Sequence, residues 1–229
     1  MKTIGLIGGM SWESTTTYYQ LINRGIKAAL GKSHSAKIIM ISVDFQEIVT
    51  LQHHNKWAEL SILMTTAAKK LEVAGADCVV LCTNTMHLLA NDIQDAIKIP
   101  FLHIADAIAN EIITLKFSKV ALLGTKFTME KDFLKSKIEN DTVDVIIPDE
   151  VQRQTIHDII YDELTKGIID DKSRKKYVTV IESLKKRGAQ AIILGCTEIG
   201  LLISKKDADC VLIDSTVVHA QKAIDFALS

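Results

Sequence analysis

Two stretches of the chain, 113 residues apart, repeat one another without a gap. Ala74-Gly75-Ala76-Asp77 leads into the apolar run Cys78–Leu81 and the polar segment Cys82–His87. Arg187-Gly188-Ala189-Gln190 leads into Ala191–Leu194 and then Gly195–Gly200. Each reads as a helix end, a glycine turn, a buried strand and a polar loop. A chain that carries this unit twice is constrained to build the same strand end twice. The alignment sets Thr83 opposite Cys196. Two equivalent strand ends with reactive side chains suit chemistry on both faces of one carbon atom.

The repeat reaches further. Ile4–Met10 parallels Val120–Lys126, each an apolar run that turns at glycine into a helix, and Phe101–Asp106 parallels Val211–Thr216 more weakly. Short β-branched runs occur at Thr3–Gly8, Lys37–Val43, Cys78–Leu81, Phe101–Ile104, Val120–Gly124, Asp144–Ile147, Ala191–Leu194 and Cys210–Ile213. Helical patterns lie between them, for example Trp57–Ala74, Leu88–Ile97, Met129–Asn140, Asp149–Lys166 and Ser173–Arg187. Such alternation indicates an α/β fold with parallel sheets. The runs are nearly continuous in Val, Ile and Leu, as strands covered on both faces require.

The expected architecture is therefore two pseudo-symmetric domains, each a parallel four-stranded sheet flanked by helices. Their expected extents are 1–115 plus 206–229, and 116–205, with the last helix (around Thr216–Leu228) packing back on the first domain. The chain has only two prolines, Pro100 and Pro148, and no low-complexity linker, so tight apposition of the domains is expected. Ligands of open parallel sheets bind beyond the carboxyl ends of strands. Loops Gly8–Trp12, Cys82–His87, Gly124–Thr128 and Gly195–Gly200 all follow strands and are expected to surround one cleft.

Composition excludes several classes. Apolar residues make up 48% of 229 residues, charged residues 24%, and the net charge is −1. That balance gives no electrostatic footprint for nucleic acid or a membrane surface. No run approaches the ~20 apolar residues of a membrane span. The apolar part of the start is too short for a secretory signal and runs straight into a strand pattern, so the cytoplasm is the expected compartment. The four cysteines, Cys78, Cys82, Cys196 and Cys210, form no CxxC or zinc-like spacing, and disulfides are not expected in a reducing compartment. Cys78 and Cys210 sit in apolar runs and read as small buried hydrophobes.

Thr83 and Cys196 are the leading candidates for chemistry. A thiolate can take a proton from carbon and a thiol can return one. Cys196 lies where a strand meets a helix, a position that favours thiolate; the plainer reading is a buried Cys with Thr197 as helix N-cap. Cys82 aligns with Gly195, and strand alternation places it under the loop rather than beside Thr83. Asn84 and Thr85 either hydrogen-bond a substrate carboxylate or cap the helix that follows. Gly8-Gly9-Met10-Ser11-Trp12 has the form of a ligand-cradling turn or of a simple tight turn, and it is not GxGxxG. Of the seven histidines, none pairs as HExxH, and His87 lies nearest the candidate loop. Spacing alone assigns nothing to Asp44, Gln52 or Lys166. No metal cluster and no pyridoxal-type lysine signature stands out.

The motifs Gly-Leu-Ile-Gly-Gly-Met-Ser-Trp-Glu-Ser (5–14), Cys-Thr-Asn-Thr-Met-His (82–87) and Gly-Cys-Thr-Glu-Ile-Gly (195–200) resemble the aspartate/glutamate racemase family across essentially the whole chain. The resemblance implies a cofactor-independent, two-base racemase of two α/β domains, usually a homodimer. It places the family's first catalytic cysteine on Thr83 and its second on Cys196. The threonine is a departure that resembles the L-aspartate/glutamate-specific branch. The same resemblance makes Met10, Gln52, Asn84, Thr85, Thr197 and Lys166 substrate contacts, with Thr83 beside them, and Lys166 an aid to thiol ionisation; Cys82, Glu198 and His87 rank below these. An arginine found in many members after the position of Asp44 is missing, since Gln46–Gln52 contains none.

An amino-acid α-proton is weakly acidic, and without pyridoxal phosphate there is no electron sink. Donors and positive charge around the carboxylate must then stabilise the developing carbanion. The expected function is racemisation of aspartate or glutamate across a Thr83/Cys196 pair. Other readings are a cysteine-dependent relative such as a maleate isomerase or arylmalonate decarboxylase, and a solute-binding protein without turnover.

Overall fold

The structure, a computed structural model, describes residues 1–229. In chain order the strands are β1 (Thr3–Gly8), β2 (Lys37–Ser42), β3 (Cys78–Leu81), β4 (Lys119–Gly124), β5 (Asp144–Ile146), β6 (Ala191–Gly195) and β7 (Val211–Asp214). The helices are α1 (Trp12–Leu30), α2 (Phe45–His53), α3 (Trp57–Val73), α4 (Ala90–Ala96), α5 (Ile104–Leu115), α6 (Lys126–Glu130), α7 (Asp132–Ile138), α8 (Glu150–Asp162), α9 (Asp171–Lys186), α10 (Ile199–Leu202) and α11 (Ser215–Leu228). Short 3-10 turns occupy Thr85–Leu89 and Leu164–Lys166. No helix is long and apolar enough to cross a membrane.

The chain divides into two compact units, residues 1–103 with 219–229, and residues 104–218. Each holds one all-parallel sheet, ordered β2-β1-β3 in the first and β5-β4-β6-β7 in the second. The expected α/β class with two parallel sheets holds, but its details shift. Phe101–Ile104 forms no fourth strand in the first sheet: only the bridge Val79–Phe101 remains. Pro100 has no N–H to give a ladder, and Ile104 already begins α5. The boundaries also fall at 103 and 218 rather than 115 and 205. Ile104, Ile108 and Ile112 of α5 pack with Val120 and Leu122 of β4, and β7 pairs with β6, so both segments belong with the second sheet.

The two repeated stretches fold alike. α3 and α9 each end before a glycine at φ +94°, Gly75 and Gly188, a conformation that costs glycine nothing. Ala76 N–H then donates to Leu71 C=O at 3.0 Å, and Ala189 N–H to Leu184 C=O at 3.1 Å, closing both helices with the same six-residue cap. Next, Asp77 N–H donates to Thr3 C=O at 2.8 Å and Gln190 N–H to Lys119 C=O at 2.9 Å. The side chains at these two positions also act alike. Asp77 accepts from Thr3 N–H at 2.6 Å, and Gln190 accepts from Lys119 N–H at 3.0 Å. Each link hooks the start of one strand to the start of its neighbour and so fixes register.

Side-chain alternation sorts the two cores. Cys78, Val80 and Cys82 join α1 and the end of α11, whereas Val79 and Leu81 join α3. In the second unit Ala191 and Ile193 face α5, whereas Ile192, Leu194 and Cys196 face α8 and α9. Helix starts are capped locally: the Ser11 hydroxyl accepts from Ser14 N–H at 3.3 Å, and Asp149 with Gln152 forms a capping box on α8.

The end of α11 returns to the first unit, where Ala220, Ala223, Ile224 and Ala227 pack on Ile4, Leu6 and Ile22. His219 fastens it. Its Nε2 lies 2.6 Å from the Leu102 carbonyl, which can only accept, so Nε2 carries the proton. Nδ1 then accepts from the Tyr18 hydroxyl at 2.8 Å. Both residues are fully buried. Tyr18→Phe is expected to leave that nitrogen without its donor and to cost about 1–3 kcal/mol, read as a melting point lower by several degrees. An unchanged melting point contradicts the arrangement.

Candidate active site

The candidate residues of the first unit sit at the carboxyl ends of its three strands. Val43 N–H donates to Gly8 C=O at 3.0 Å and Cys82 N–H to Ile7 C=O at 2.9 Å, so the exits of β1, β2 and β3 lie side by side. After β1 the chain passes Gly9, at φ +93°, and the cis peptide Met10–Ser11 into α1. Met10 is buried in the core with Met86. After β3, Thr83 N–H donates back to Leu81 C=O at 2.9 Å, a three-residue turn at Cys82. Two side chains clamp that turn. The Ser14 hydroxyl donates to Cys82 C=O at 3.0 Å, and His87 Nδ1–H donates to Thr83 C=O at 2.8 Å.

His87 is thus a support beneath the loop. Burial, with His103 and His219 close by, holds its pKa well below the ordinary value and keeps the ring neutral. Cys82 is fully buried in the core with Val80, and burial pushes its thiol far up. It packs in the core and does not line the loop as a candidate site residue would. Thr83, Asn84 and Thr85 are themselves largely buried. Asn84 stands at the N-cap position of the 3-10 turn without a side-chain cap bond, so the capping alternative is not realised. Gln52, also buried, donates through Nε2 to Met86 Sδ at 3.2 Å, which ties α2 to the same loop.

The second unit presents the matching strand end. β6 ends at Gly195, and Cys196 follows with 9% of its surface exposed. Its Sγ donates to Glu198 Oε2 at 2.9 Å, and Thr197 Oγ1 donates to the same oxygen at 2.6 Å. Glu198 is itself only 4% exposed. The helix expected to favour thiolate is one turn, Ile199–Leu202, with Glu198 and not Thr197 at its N-cap. The sequence expectation therefore reverses. Burial, then the Glu198 carboxylate and its hydrogen bond, push the Cys196 pKa well above the ordinary thiol value, and Asp214 adds to the effect. The thiol is protonated in this state.

Lys166 does not offset this. It ends the 3-10 turn that packs near α10, yet its side chain is 60% exposed and its ammonium lies 3.7 Å from Asp162. Groups that sequence reasoning did not single out complete the surroundings. Tyr161 and Tyr177, on α8 and α9, lie near Cys196 and Glu198; burial first, then these neighbours, push Tyr161 up to about 12 and Tyr177 well above the ordinary phenol value. Asp214, at the end of β7, has its pKa raised by burial and caps α11 through Thr216 N–H at 2.8 Å. It presses on Gly200, where an added Cβ would come within 2.7 Å of Asp214 Oδ2. Helical spacing could not have found the tyrosines. Asp214 carried a signal, since it is the polar residue that ends an apolar run.

Known proteins resemble this chain along its whole length. The sequence profile of the Asp/Glu/hydantoin racemase family matches residues 7–223. The broad-specificity amino-acid racemase RacX of Bacillus subtilis strain 168 is 23% identical over 231 residues, 99% of this chain and 98% of its own. The crystal structure of a candidate Asp/Glu racemase from Yersinia pestis is 49% identical, with a TM-score of 0.93 over all of both chains. An aspartate racemase homologue from Pyrococcus horikoshii OT3 is 33% identical, with a TM-score of 0.87 and full coverage of both chains.

The four thiols should differ in reactivity. Burial raises all four, Cys78 to about 12 and Cys82 and Cys196 strongly, but Cys210 is only half-buried and so the most accessible. At about pH 8, iodoacetamide followed by peptide mass spectrometry is expected to label Cys210 first and Cys196 slowly, because the thiolate is the nucleophile. Labelling of Cys196 as fast as Cys210 contradicts the protonated state.

Proposed function

We propose that this chain, which belongs to the Asp/Glu/hydantoin racemase family, is a cofactor-independent amino-acid racemase acting on aspartate, glutamate or both. In this reading Cys196 takes the α-proton on one face of the substrate, and Thr83, or a water it orients, supplies a proton on the other. The observation that carries the reading is the equivalence of the two residues, each the second residue beyond matching strand positions on its own sheet. The racemase relatives support the reaction class, and the names of the two similar solved structures support the acidic substrate.

The chemical demands fit the residues. Removing an α-proton leaves charge that spreads into the substrate carboxylate. Hydrogen-bond donors held in place before the reaction stabilise that charge without reorganising. Asn84, Thr85 and Gln52 are buried polar side chains, and Lys166, exposed and 3.7 Å from Asp162 in this state, would have to turn toward the substrate to supply positive charge. Met10 shapes the apolar side, and Thr197 is committed to Glu198 through its hydroxyl. A homodimer in the cytoplasm is the proposed setting, by resemblance to the family.

Threonine is a far weaker base than cysteine, so the two directions differ. Enantiomers have equal free energy, so kcat/KM must agree from either side, and the asymmetry falls on kcat and KM separately. Chiral chromatography of aspartate and glutamate, run from both enantiomers, is expected to show racemisation that Cys196→Ala lowers by about 10²–10⁴-fold, the usual weight of a positioned acid–base group. Thr83→Cys is expected to bring the two kcat values together and raise the overall rate. Full activity in Cys196→Ala, or no change in enantiomer ratio with the wild type, overturns the reading.

A further inference from the structure

Three buried histidines meet beneath the exit of β3, and the reaction proposed above uses none of them. The His87 ring lies 4.7 Å from that of His103 and 5.7 Å from that of His219, centroid to centroid, with the Phe101 ring at 5.4 Å. All three imidazoles are buried. Each comes from a different piece of the first unit. His87 stands on the 3-10 turn that follows Thr83 and Asn84. His103 ends a segment hooked to β3, where Leu102 N–H donates to Val79 C=O at 2.9 Å. His219 is on α11, its two nitrogens engaged by the Leu102 carbonyl and by the Tyr18 hydroxyl of α1. His87 is the link to the candidate site, because its Nδ1–H donates to Thr83 C=O at 2.8 Å.

We propose that this cluster is an acid-operated latch on the Thr83 turn: in weak acid His87 takes up a proton from water, swings its ring out of the pocket and lets the turn go. The physical reason is desolvation, since a buried cation must be paired or leave. The groups whose charge acts on His87 are His103 and His219, which oppose a positive charge rather than balance it. The other titratable side chains of this core are Tyr18 on α1 and Cys78 and Cys82 on β3, all neutral near pH 7. From α2 the loop receives uncharged Gln52, while Glu47, His53 and His54 are exposed. The nearest formal charges along the chain are Asp92 on α4, Asp106 three residues beyond His103, and Lys222 one turn beyond His219; both carboxylates are exposed. The sign follows. Stability that depends on neutral His87 is complete above the ordinary histidine value of about 6.5 and is lost as pH falls below it, with the closed-to-open ratio dropping by up to about tenfold per pH unit for one proton. Opening frees Thr83 and leaves Cys196, on the other sheet, in place. The kinetic consequence rests on the racemase reading: Cys196 still removes the α-hydrogen and returns one to the same face, but inversion fails. Acid thus turns racemisation into exchange without inversion before the chain unfolds.

The test compares the wild type with His87→Asn, whose amide nitrogen can reach the same carbonyl without titrating, and with His87→Ala, which removes both the ring and the hydrogen bond. The first readout needs no substrate. It is backbone hydrogen exchange of the whole chain, followed by mass spectrometry and corrected for the intrinsic pH dependence of exchange. Between about pH 8 and about pH 5.5 the wild-type peptide covering residues 82–87 is expected to lose about tenfold in protection while β4 and β6 keep theirs. His87→Asn is expected to hold the same protection within about threefold. The second readout is deuterium gained at Cα of the unconverted enantiomer per molecule inverted, for the enantiomer of aspartate or glutamate that Cys196 deprotonates. Taking this ratio cancels the pH dependence of Cys196, on which both events depend. It is expected to rise by about tenfold in the wild type over that range, to stay within about threefold in His87→Asn, and to be high already at about pH 8 in His87→Ala. Wild-type protection at 82–87 that does not change, or that falls together with β4 and β6, overturns the proposal. So does a His87→Asn variant that follows the wild type in acid. Should His87→Asn not fold, the wild-type comparison of 82–87 with β4 and β6 decides alone. If the wild type racemises nothing while protection at 82–87 falls by itself in acid, the racemase reading fails and the latch stands. If it racemises and that protection is independent of pH, the latch alone fails.

Discussion

Alternation along two parallel strands is the constraint on which the site depends. In β3 and β6 the residues that face α3, or α8 and α9, are every second one, and Thr83 and Cys196 continue that series past the strand ends. A slip of one residue would turn Cys196 toward α5 and bring the buried Cys82 into the loop. The hooks from Asp77 to Thr3 and from Gln190 to Lys119 prevent that slip. The glycine caps at Gly75 and Gly188 set where each strand begins. Thus the chemistry at one end of each strand is fixed by backbone hydrogen bonds at the other.

The electrostatics of the second strand end follow from the same packing. Because Cys196 is largely buried, a thiolate there loses most of its hydration, and the Glu198 carboxylate opposes it further. The resting sulfur is a thiol. A protonated sulfur is the less reactive form toward alkylating agents.

Much of this was legible in the sequence. The repeat located both strand ends, paired Thr83 with Cys196, and put Cys82 under its loop, because period-two alternation is a backbone property that spacing reveals directly. The α/β class with parallel sheets followed from apolar runs alternating with helical patterns. Other features were not legible. The loss of a fourth strand at Phe101 depends on competition between pairing and the onset of α5, and spacing does not decide such contests. The boundaries moved for the same reason, since Ile104, Ile108 and Ile112 look alike whichever sheet they cover. The expectation of a thiolate at Cys196 is not met, because burial, and then the carboxylate two residues away, raise its pKa while a helix of four residues has little field to oppose them. Tyr161 and Tyr177 come near Cys196 from separate helices, a proximity only folding creates.

The central claim is that the sulfur of Cys196 removes the hydrogen on the substrate's α-carbon. Incubating L-aspartate or L-glutamate in deuterated water and following the α-proton signal by NMR tests it most directly. The account predicts that the wild-type chain exchanges that hydrogen for deuterium as racemisation proceeds, and that Cys196→Ala, folded to the same melting point, does not. Exchange at the wild-type rate in Cys196→Ala would contradict it.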